Sequence, residues 1–258
     1  MQETREAFLM SEWRSAADFA DTLGASTSRY LTSVPAVFVF LWALSGCTPT
    51  GEAEFAESHP FPTASVYFEQ NATDGDVEVV FKIKAEDEGL SQLLINSPDG
   101  RTVVDFKALE SSTLGIRQFH FESPEPPDVD SLKAAYPEGV YTFSGTTASG
   151  DKLAGRASLS HQLPETAEFI TPVSENELIS VTEPKLSWSQ VEDAAYYILE
   201  IEQDQLNMNI TAFLPASTTS FTLPDDLLVP GEEYELAIGT VSSEGNISFV
   251  EMEFTATE

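Results

Sequence analysis

Ala194-Ala195-Tyr196-Tyr197-Ile198-Leu199-Glu200-Ile201 is the stretch that decides the fold class. Successive side chains of a β-strand point to opposite faces, so every second residue shares a face. Glu200 and Glu202 fall on one face, where we expect them to meet water. The other face is apolar and carries Tyr197, Leu199 and Ile201. The alternation therefore predicts a half-buried strand of a β-sandwich.

Features on both sides of this strand occur in an order typical of one family. Lys185-Leu186-Ser187-Trp188 precedes it and offers a Trp for the core. Leu228-Val229-Pro230-Gly231-Glu232-Glu233-Tyr234 follows and is similar to a tyrosine corner, in which a Tyr hydroxyl hydrogen-bonds to nearby backbone. From about 171 to 258 the chain resembles a fibronectin type III domain. The resemblance implies a sandwich and no particular activity, with structural roles for Trp188, Tyr197, Pro230, Gly231 and Tyr234.

Two further strands are predicted in this part of the chain. The first continues the corner and turns Tyr234, Leu236 and Ile238 inward. The closing strand offers Val250, Met252 and Phe254 to the core, and Glu251 and Glu253 alternate with them.

The first half of the chain shows the same alternation. Glu78, Lys82 and Lys84 alternate with an apolar face formed by Val77, Val79, Phe81 and Ile83. Ser97-Pro98-Asp99-Gly100 predicts a hairpin, since Pro presets the turn and Gly accepts positive φ. A short helix is predicted at 131–135, ended by the Tyr136-Pro137 step.

These signals predict an all-β protein with two tandem β-sandwich domains. The strand Gly139-Val140-Tyr141-Thr142-Phe143 and the hairpin it opens are similar to immunoglobulin-like modules of bacterial surface lipoproteins. We place an immunoglobulin-like sandwich at 63–163, a linker at 164–171 and the fibronectin type III-like sandwich at 172–258.

The first 46 residues have the layout of an export signal. Arg29 precedes an apolar core at 37–44, and Leu44-Ser45-Gly46-Cys47 resembles a bacterial lipobox. The resemblance implies a mature chain that begins at Cys47, with diacylglycerol on its thiol and a fatty acid such as palmitate on its amino group. Residues 47–62 are then a lipidated tether.

Alternatives to this interpretation stay open. An uncleaved membrane anchor would need about 20 apolar residues, whereas residues 34–44 supply 11. Cys47 could instead be a buried core thiol. Residues 1–28 are long and acidic for a leader, so the true start could lie downstream of Met1.

Acidic residues dominate the composition. The chain has 12 Lys and Arg against 43 Asp and Glu, and residues 1–46 hold three Arg and five acids, which leaves a net charge of about −29 after cleavage. Such a field repels phosphate backbones and anionic lipid heads, which disfavours nucleic-acid binding and polybasic docking. The expected membrane contact is the N-terminal lipid anchor. We favour the outer membrane because Thr48, rather than Asp, follows Cys47, and the side it faces stays open.

No pattern predicts catalysis, so we expect a protein that is not an enzyme. His59, His120 and His161 lack the spacing of a metal-binding helix. Asn71-Ala72-Thr73-Asp74-Gly75-Asp76 groups oxygen atoms without the spacing of an EF-hand, so we expect an ordinary turn and no metal or cofactor.

The expected role is that of an envelope lipoprotein that binds a protein or polymer partner or acts as a spacer. The alternatives are a polysaccharide-binding accessory domain of a surface enzyme system and a calcium-dependent adhesin.

Overall fold

The structure, a computed structural model, describes residues 58–108, 115–124 and 128–258. These residues form sixteen β-strands and one short helix, so the predicted all-β fold is confirmed. No helix in the described ranges is long and apolar enough to cross a bilayer. Cys47 and the predicted export signal lie outside the described residues.

The first sandwich places a five-stranded sheet against three strands of a larger sheet. The five-stranded sheet has the order β1-β8-β7-β4-β5, with β1 at Ser58–Pro60, β4 at Leu90–Asn96, β5 at Thr102–Lys107, β7 at Gly139–Thr147 and β8 at Lys152–Leu159. The strands that face it are β2 at Thr63–Asn71, β3 at Asp76–Lys84 and β6 at Gln118–Glu122. The predicted helix, α1, spans Val129–Ala135 and ends before Pro137.

The predicted alternation builds the core of this sandwich. Four side chains of β3 are buried as expected, namely Val77, Val79, Phe81 and Ile83. Tyr141 and Phe143 of β7 are buried among them, and the Tyr141 ring meets the Phe81 ring edge to face, with centroids 5.7 Å apart. The predicted hairpin joins β4 to β5, and Gly100 has a φ of +84° in its turn.

The first sandwich begins at residue 58, earlier in the chain than composition predicts. Strand β1 pairs in parallel with Lys152–Ala154 of β8. Phe61 follows and is buried, and its ring lies so close to Gly145 and Gly155 that added Cβ atoms would meet ring carbons at 2.8 and 3.2 Å. Residues 58–62, assigned above to the tether, are therefore part of the fold, because strand pairing and ring burial outweigh their polar, proline-containing composition.

The second sandwich has its own core. One sheet has the order β14-β11-β9, with β9 at Phe169–Thr171, β11 at Lys185–Trp188 and β14 at Ser220–Thr222. The facing strands run β13-β12-β15-β16, with β12 at Tyr196–Gln203, β13 at Met208–Pro215, β15 at Glu233–Val241 and β16 at Ile247–Thr257. Strand β10, Glu177–Ser180, pairs in parallel with β16. Thus β9 lies inside the segment 164–171 that composition assigns to a linker.

Most of the inward positions predicted for this sandwich are confirmed, whereas Val250 and Met252 of β16 are only partly buried, and Met252 is not part of the core cluster. Buried side chains include Trp188, Tyr197, Leu199, Ile201, Tyr234, Leu236, Ile238 and Phe254. They form one hydrophobic cluster, and the Trp188 and Tyr197 rings meet edge to face with centroids 5.9 Å apart.

One sheet runs through both sandwiches. Strand β16 pairs in parallel with β2, with Ile247, Ser248 and Phe249 opposite Glu69, Gln70 and Asn71. The result is an eight-stranded sheet with the order β13-β12-β15-β16-β2-β3-β6, in which β10 adds to β16. Backbone hydrogen bonds therefore cross the boundary between the two cores.

Two buried polar side chains fasten this junction. The Asn246 side chain accepts from the Phe68 N–H at 2.8 Å and donates to the carbonyls of Ser160 and Gln162 at 3.0 and 2.9 Å. Ser248 donates to the Pro164 carbonyl at 2.7 Å and accepts from the Gln70 amide at 2.8 Å. Both are almost wholly buried. The polar groups of these two side chains are thus met inside the protein, as burial requires.

Candidate functional site

Glutamates form two cross-strand rows on the outer face of the second sandwich. Glu202, Glu235 and Glu253 stand opposite one another on β12, β15 and β16. Two residues along, Glu200 and Glu251 flank Ala237 in the same way. A groove of about 200 Å³ opens between these rows. We call it the acidic groove and define it by its glutamates, Glu175, Glu200, Glu202, Glu235, Glu251 and Glu253.

The prediction that Glu200 and Glu202 meet water is wrong. Both side chains are only 8% exposed. The outer face of the continuous sheet carries an apolar cluster that joins the two sandwiches and includes Tyr67, Val80, Ile198, Ala237 and Phe249. A sequence signal for this burial exists in β12, because Tyr196 and Ile198 make its supposed water face apolar as well.

Burial and mutual repulsion perturb these carboxyl groups. Burial raises the pKa of Glu200 to about 8, and the nearby Glu69 and Glu202 carboxylates add to the rise. Burial likewise raises the pKa of Glu202 to about 7 and that of Glu69 to about 7. All three groups therefore hold protons at a higher pH than an exposed Glu does.

Lys82 of β3 brings positive charge to this face. Its ammonium lies 5.2 Å from the centroid of the Tyr67 ring, a cation–π contact. Burial lowers the pKa of Lys82, whereas its attraction to Glu69 and Glu200 works in the opposite direction. Lys82 therefore offsets part of the negative charge that the carboxylates bring to this face.

The residues predicted from the family resemblance lie in the second core or beside it. The Val229 N–H donates to the Tyr234 hydroxyl at 2.8 Å, and Gly231 next to Pro230 has a φ of +88°. The Tyr197 hydroxyl accepts from the Val191 N–H at 2.7 Å. Trp188 is buried, and its indole N–H meets no hydrogen-bond acceptor in the described residues. These contacts give the residues packing and turn-forming roles, and none of them lines the acidic groove.

The oxygen-rich segment at 71–76 forms a tight turn between β2 and β3. Side-chain oxygens of Asn71 and Asp74 accept from the N–H groups of Thr73 and Asp76, at 3.0 and 3.1 Å. Gly75 has a φ of +89°. Both oxygens thus satisfy backbone groups of the turn, an arrangement typical of Asx turns.

The histidines do not converge on a site. His161 Nε2 lies 2.7 Å from the Tyr136 carbonyl oxygen. His120 lies beside Glu122, and burial with the nearby Lys82 lowers its pKa to about 4, which keeps the ring neutral at pH 7. Within 58–108, 115–124 and 128–258, no three His, Cys, Asp or Glu side chains are grouped so as to hold a metal ion.

No local pattern in the sequence predicts the buried hydrogen bonds of Asn246 and Ser248. Both follow a turn in a polar Ser-Glu-Gly-Asn stretch, where exposure is the usual outcome. Their burial depends on contacts with residues 178 positions earlier in the chain.

Comparisons with known proteins give the following picture. No protein-family model matches the chain, and no curated protein matches it in sequence. Fibronectin(III)-like modules of Clostridium thermocellum CbhA match at 11% identity and a TM-score of 0.32, over 76% of this chain and 91% of the other.

Two chicken structures also match. The FN1–FN3 domains of CNTN1 match at 11% identity and a TM-score of 0.33, over 78% of this chain and 65% of theirs. A two-domain fibronectin type III segment of tenascin matches at 15% identity and a TM-score of 0.28, over 75% and 97%. Similarity at this level carries no argument, so the description of the fold rests on the strands and cores above.

Proposed function

We propose that the protein is a non-enzymatic, lipid-anchored envelope protein that holds two β-sandwiches as one rigid unit for binding a partner or for spacing. The anchor part of the proposal rests on the lipobox-like sequence before Cys47. The rigid-unit part rests on the parallel pairing of β16 with β2.

That pairing separates this chain from ordinary tandem domains. Domains joined only by a linker usually move relative to one another, because their interfaces are small and polar. Here backbone hydrogen bonds continue from one sandwich into the other, and Asn246 and Ser248 fasten the chain that connects the two cores. Independent swinging would break these buried hydrogen bonds, each of which contributes about 0.5–1.5 kcal/mol.

A distance measurement tests the rigid unit. Thr142 of β7 and Ser217 after β13 are exposed and lie in different sandwiches. Spin labels on Thr142→Cys/Ser217→Cys should give one narrow distance distribution in pulsed electron paramagnetic resonance. A pair within one sandwich, Thr142→Cys/Asp105→Cys, sets the width expected of a rigid body. A clearly broader distribution for the first pair would contradict the proposal.

Metabolic labelling tests the anchor. A fatty-acid analogue should label the wild-type protein, and Cys47→Ser should remove the label and prevent processing by the lipoprotein peptidase. Equal label in both would rule out the lipid attachment and leave the rigid unit unaffected.

A further inference from the structure

Strand β13 is the last strand at one end of the continuous sheet. Among the described residues, β12 is its only strand partner, and the two strands pair without a bulge over all eight residues of β13. Exposed strand edges are templates for further strands, so proteins usually shorten them or protect them with charges, prolines and bulges. The only proline of β13, Pro215, stands at its end. This edge is therefore long and has little protection.

Strand β13 also carries no charge. Met208–Pro215 contain no Asp, Glu, Lys or Arg, although the chain has 43 acidic and 12 basic residues. The other edge strands are charged or short: β5 contains Asp105 and Lys107, β6 contains Glu122, β10 has four residues, and β1, β9 and β14 have three each. Two copies of so acidic a chain repel each other over most of their surfaces. Strand β13 is therefore the edge at which a second copy meets the least repulsion.

The register of the sheet places the backbone groups of Thr211 on the outer side of β13. The Ser242 N–H donates to the Asn246 carbonyl at 2.9 Å, so even-numbered residues of β15 bond to β16. Hydrogen-bonded and non-bonded pairs alternate along antiparallel strands. Odd-numbered residues of β15 therefore bond to β12, and the same alternation makes the even-numbered residues of β13 bond to β12. Thr211 thus directs its N–H and C=O away from the sheet. Pro215 fits this assignment because its missing N–H falls on the same outer side.

A second copy of β13 is complementary to this edge when Thr211 lies on a two-fold axis. The N–H and C=O groups of Thr211 then bond to those of Thr211 in the second copy. On the core side, Ile210 stands opposite Ala212 and Met208 opposite Leu214, and all four pack against the second core. The glutamates of β12 in the two copies are three strand spacings apart, about 14 Å, which exceeds the Debye length of about 8 Å at physiological salt.

Other registers are less favourable. An axis at Ala212 would place Pro215 opposite Asn209, and Pro215 has no N–H to donate. A shift by one residue would bring the core side of one strand opposite the outer side of the other. The sequence of β13 therefore selects the axis at Thr211.

We propose that the protein forms a two-fold symmetric dimer in which the β13 strands of two copies pair in antiparallel orientation and join the two continuous sheets edge to edge. The pairing needs no lipid anchor, so it is independent of the function proposed above. A pair of strands buries little surface, and the dimer therefore dissociates readily on dilution. Salt strengthens it because both copies are acidic.

Sedimentation velocity tests the dimer on the full-length chain in detergent, with Cys47→Ser to remove the only thiol. We expect a reversible equilibrium between monomer and dimer. Thr211→Pro removes the N–H on the axis and should weaken the dimer by about tenfold or more, whereas an edge strand tolerates Pro where its N–H points outward. Thr211→Val is the matched control, because it keeps the N–H and should change the dissociation constant by no more than about threefold.

Disulfide formation tests the register and does not depend on the folding of Thr211→Pro. Opposite residues of a hydrogen-bonded antiparallel pair have Cα atoms about 5.5 Å apart, and disulfides form at Cα distances of about 4.4–6.8 Å. Thr211→Cys in the Cys47→Ser chain should therefore give a covalent dimer under mild oxidation. Asn209→Cys lies on the same strand and face, but about 14 Å from its counterpart, and should not.

Three results would overturn the proposal. A monomer at every concentration up to about 1 mM would leave the edge of β13 to a strand of another protein. Equal weakening by Thr211→Pro and Thr211→Val would show a side-chain contact and no strand pairing. Equal covalent dimer from Thr211→Cys and Asn209→Cys would exclude the axis at Thr211. Thermal unfolding of each variant verifies that it is folded.

Discussion

Asn246→Ala is the substitution that best tests how the two sandwiches are joined. It removes three buried hydrogen bonds at once, with the Phe68 N–H, the Ser160 carbonyl and the Gln162 carbonyl. Asn246 is only 1% exposed, so water does not simply replace the amide. The Phe68 N–H then loses its side-chain partner in the interior.

The expected cost follows from these contacts. A buried group left without a partner costs about 1–3 kcal/mol, and a typical hydrogen bond contributes about 0.5–1.5 kcal/mol. One orphaned donor and two weakened acceptors together give a loss of about 3 kcal/mol in the free energy of unfolding. The spin-label distance distribution between the sandwiches should also broaden, because the amide holds residues 160 and 162 against the β15–β16 turn.

Urea unfolding followed by circular dichroism measures this cost. Asn96→Ala is the matched control, since the Asn96 amide oxygen accepts a single, exposed hydrogen bond from Thr102 within one hairpin. We expect the control to lose about 0.5 kcal/mol or less, as surface substitutions usually do. Similar losses for the two variants would refute the claim that Asn246 fastens the junction.

Three further outcomes are expected. Tyr234→Phe should lower the free energy of unfolding by about 1–2 kcal/mol, because the Val229 N–H loses its acceptor, and an unchanged urea midpoint would contradict this. Stability should fall as pH rises from 5 to 9. The pKa of Glu200 is about 8, above its ordinary value of 4.5, so the folded state holds more protons than the unfolded state in that window. Glu200→Gln should flatten this dependence in thermal melts, and an equally steep profile would exclude Glu200 as a cause. Sodium chloride should raise the melting temperature because the Debye length falls from about 10 Å at 0.1 M to about 3 Å at 1 M. In high salt, about 1 mM calcium should not raise the melting temperature further if residues 71–76 are only a turn. A calcium-dependent rise that is abolished in Asp74→Ala/Asp76→Ala would reveal a calcium site.

Local alternation was enough to predict several strands of both cores, among them β3 and β12. Phe81 and Leu199 are buried, and both belong to an apolar set formed by every second residue of their strands. This pattern can be recognised from a few neighbouring residues. The tight turn at Gly100 carries an equally local signal. These features follow from strand geometry and turn chemistry alone.

The junction and the acidic groove could not be predicted in the same way. Pairing of Ser248 with Gln70 brings together residues 178 positions apart, and a parallel pair has no connecting turn that would mark it in the sequence. The alternation of Glu200 with Leu199 and Ile201 predicted the wrong environment, because Tyr196 and Ile198 on the same face as Glu200 are apolar as well. Cross-strand rows of glutamate likewise become visible only when the register of β12, β15 and β16 is known.

The pairing of β2 with β16 also makes completion of the sheet a late event in synthesis. Strand β2 can form its hairpin with β3 early, but its other edge has no native neighbour at 69–71 until residues 247–249 have arrived. Open strand edges recruit strands of other chains, and contacts over long sequence separations form slowly. A chain cut before residue 246 would therefore leave residues 69–71 of β2 unpaired in an otherwise assembled first sandwich, where strands of other chains can pair with them. Strand β16 thus covers this edge of β2, and we expect fragments that lack β16 to aggregate or to be degraded.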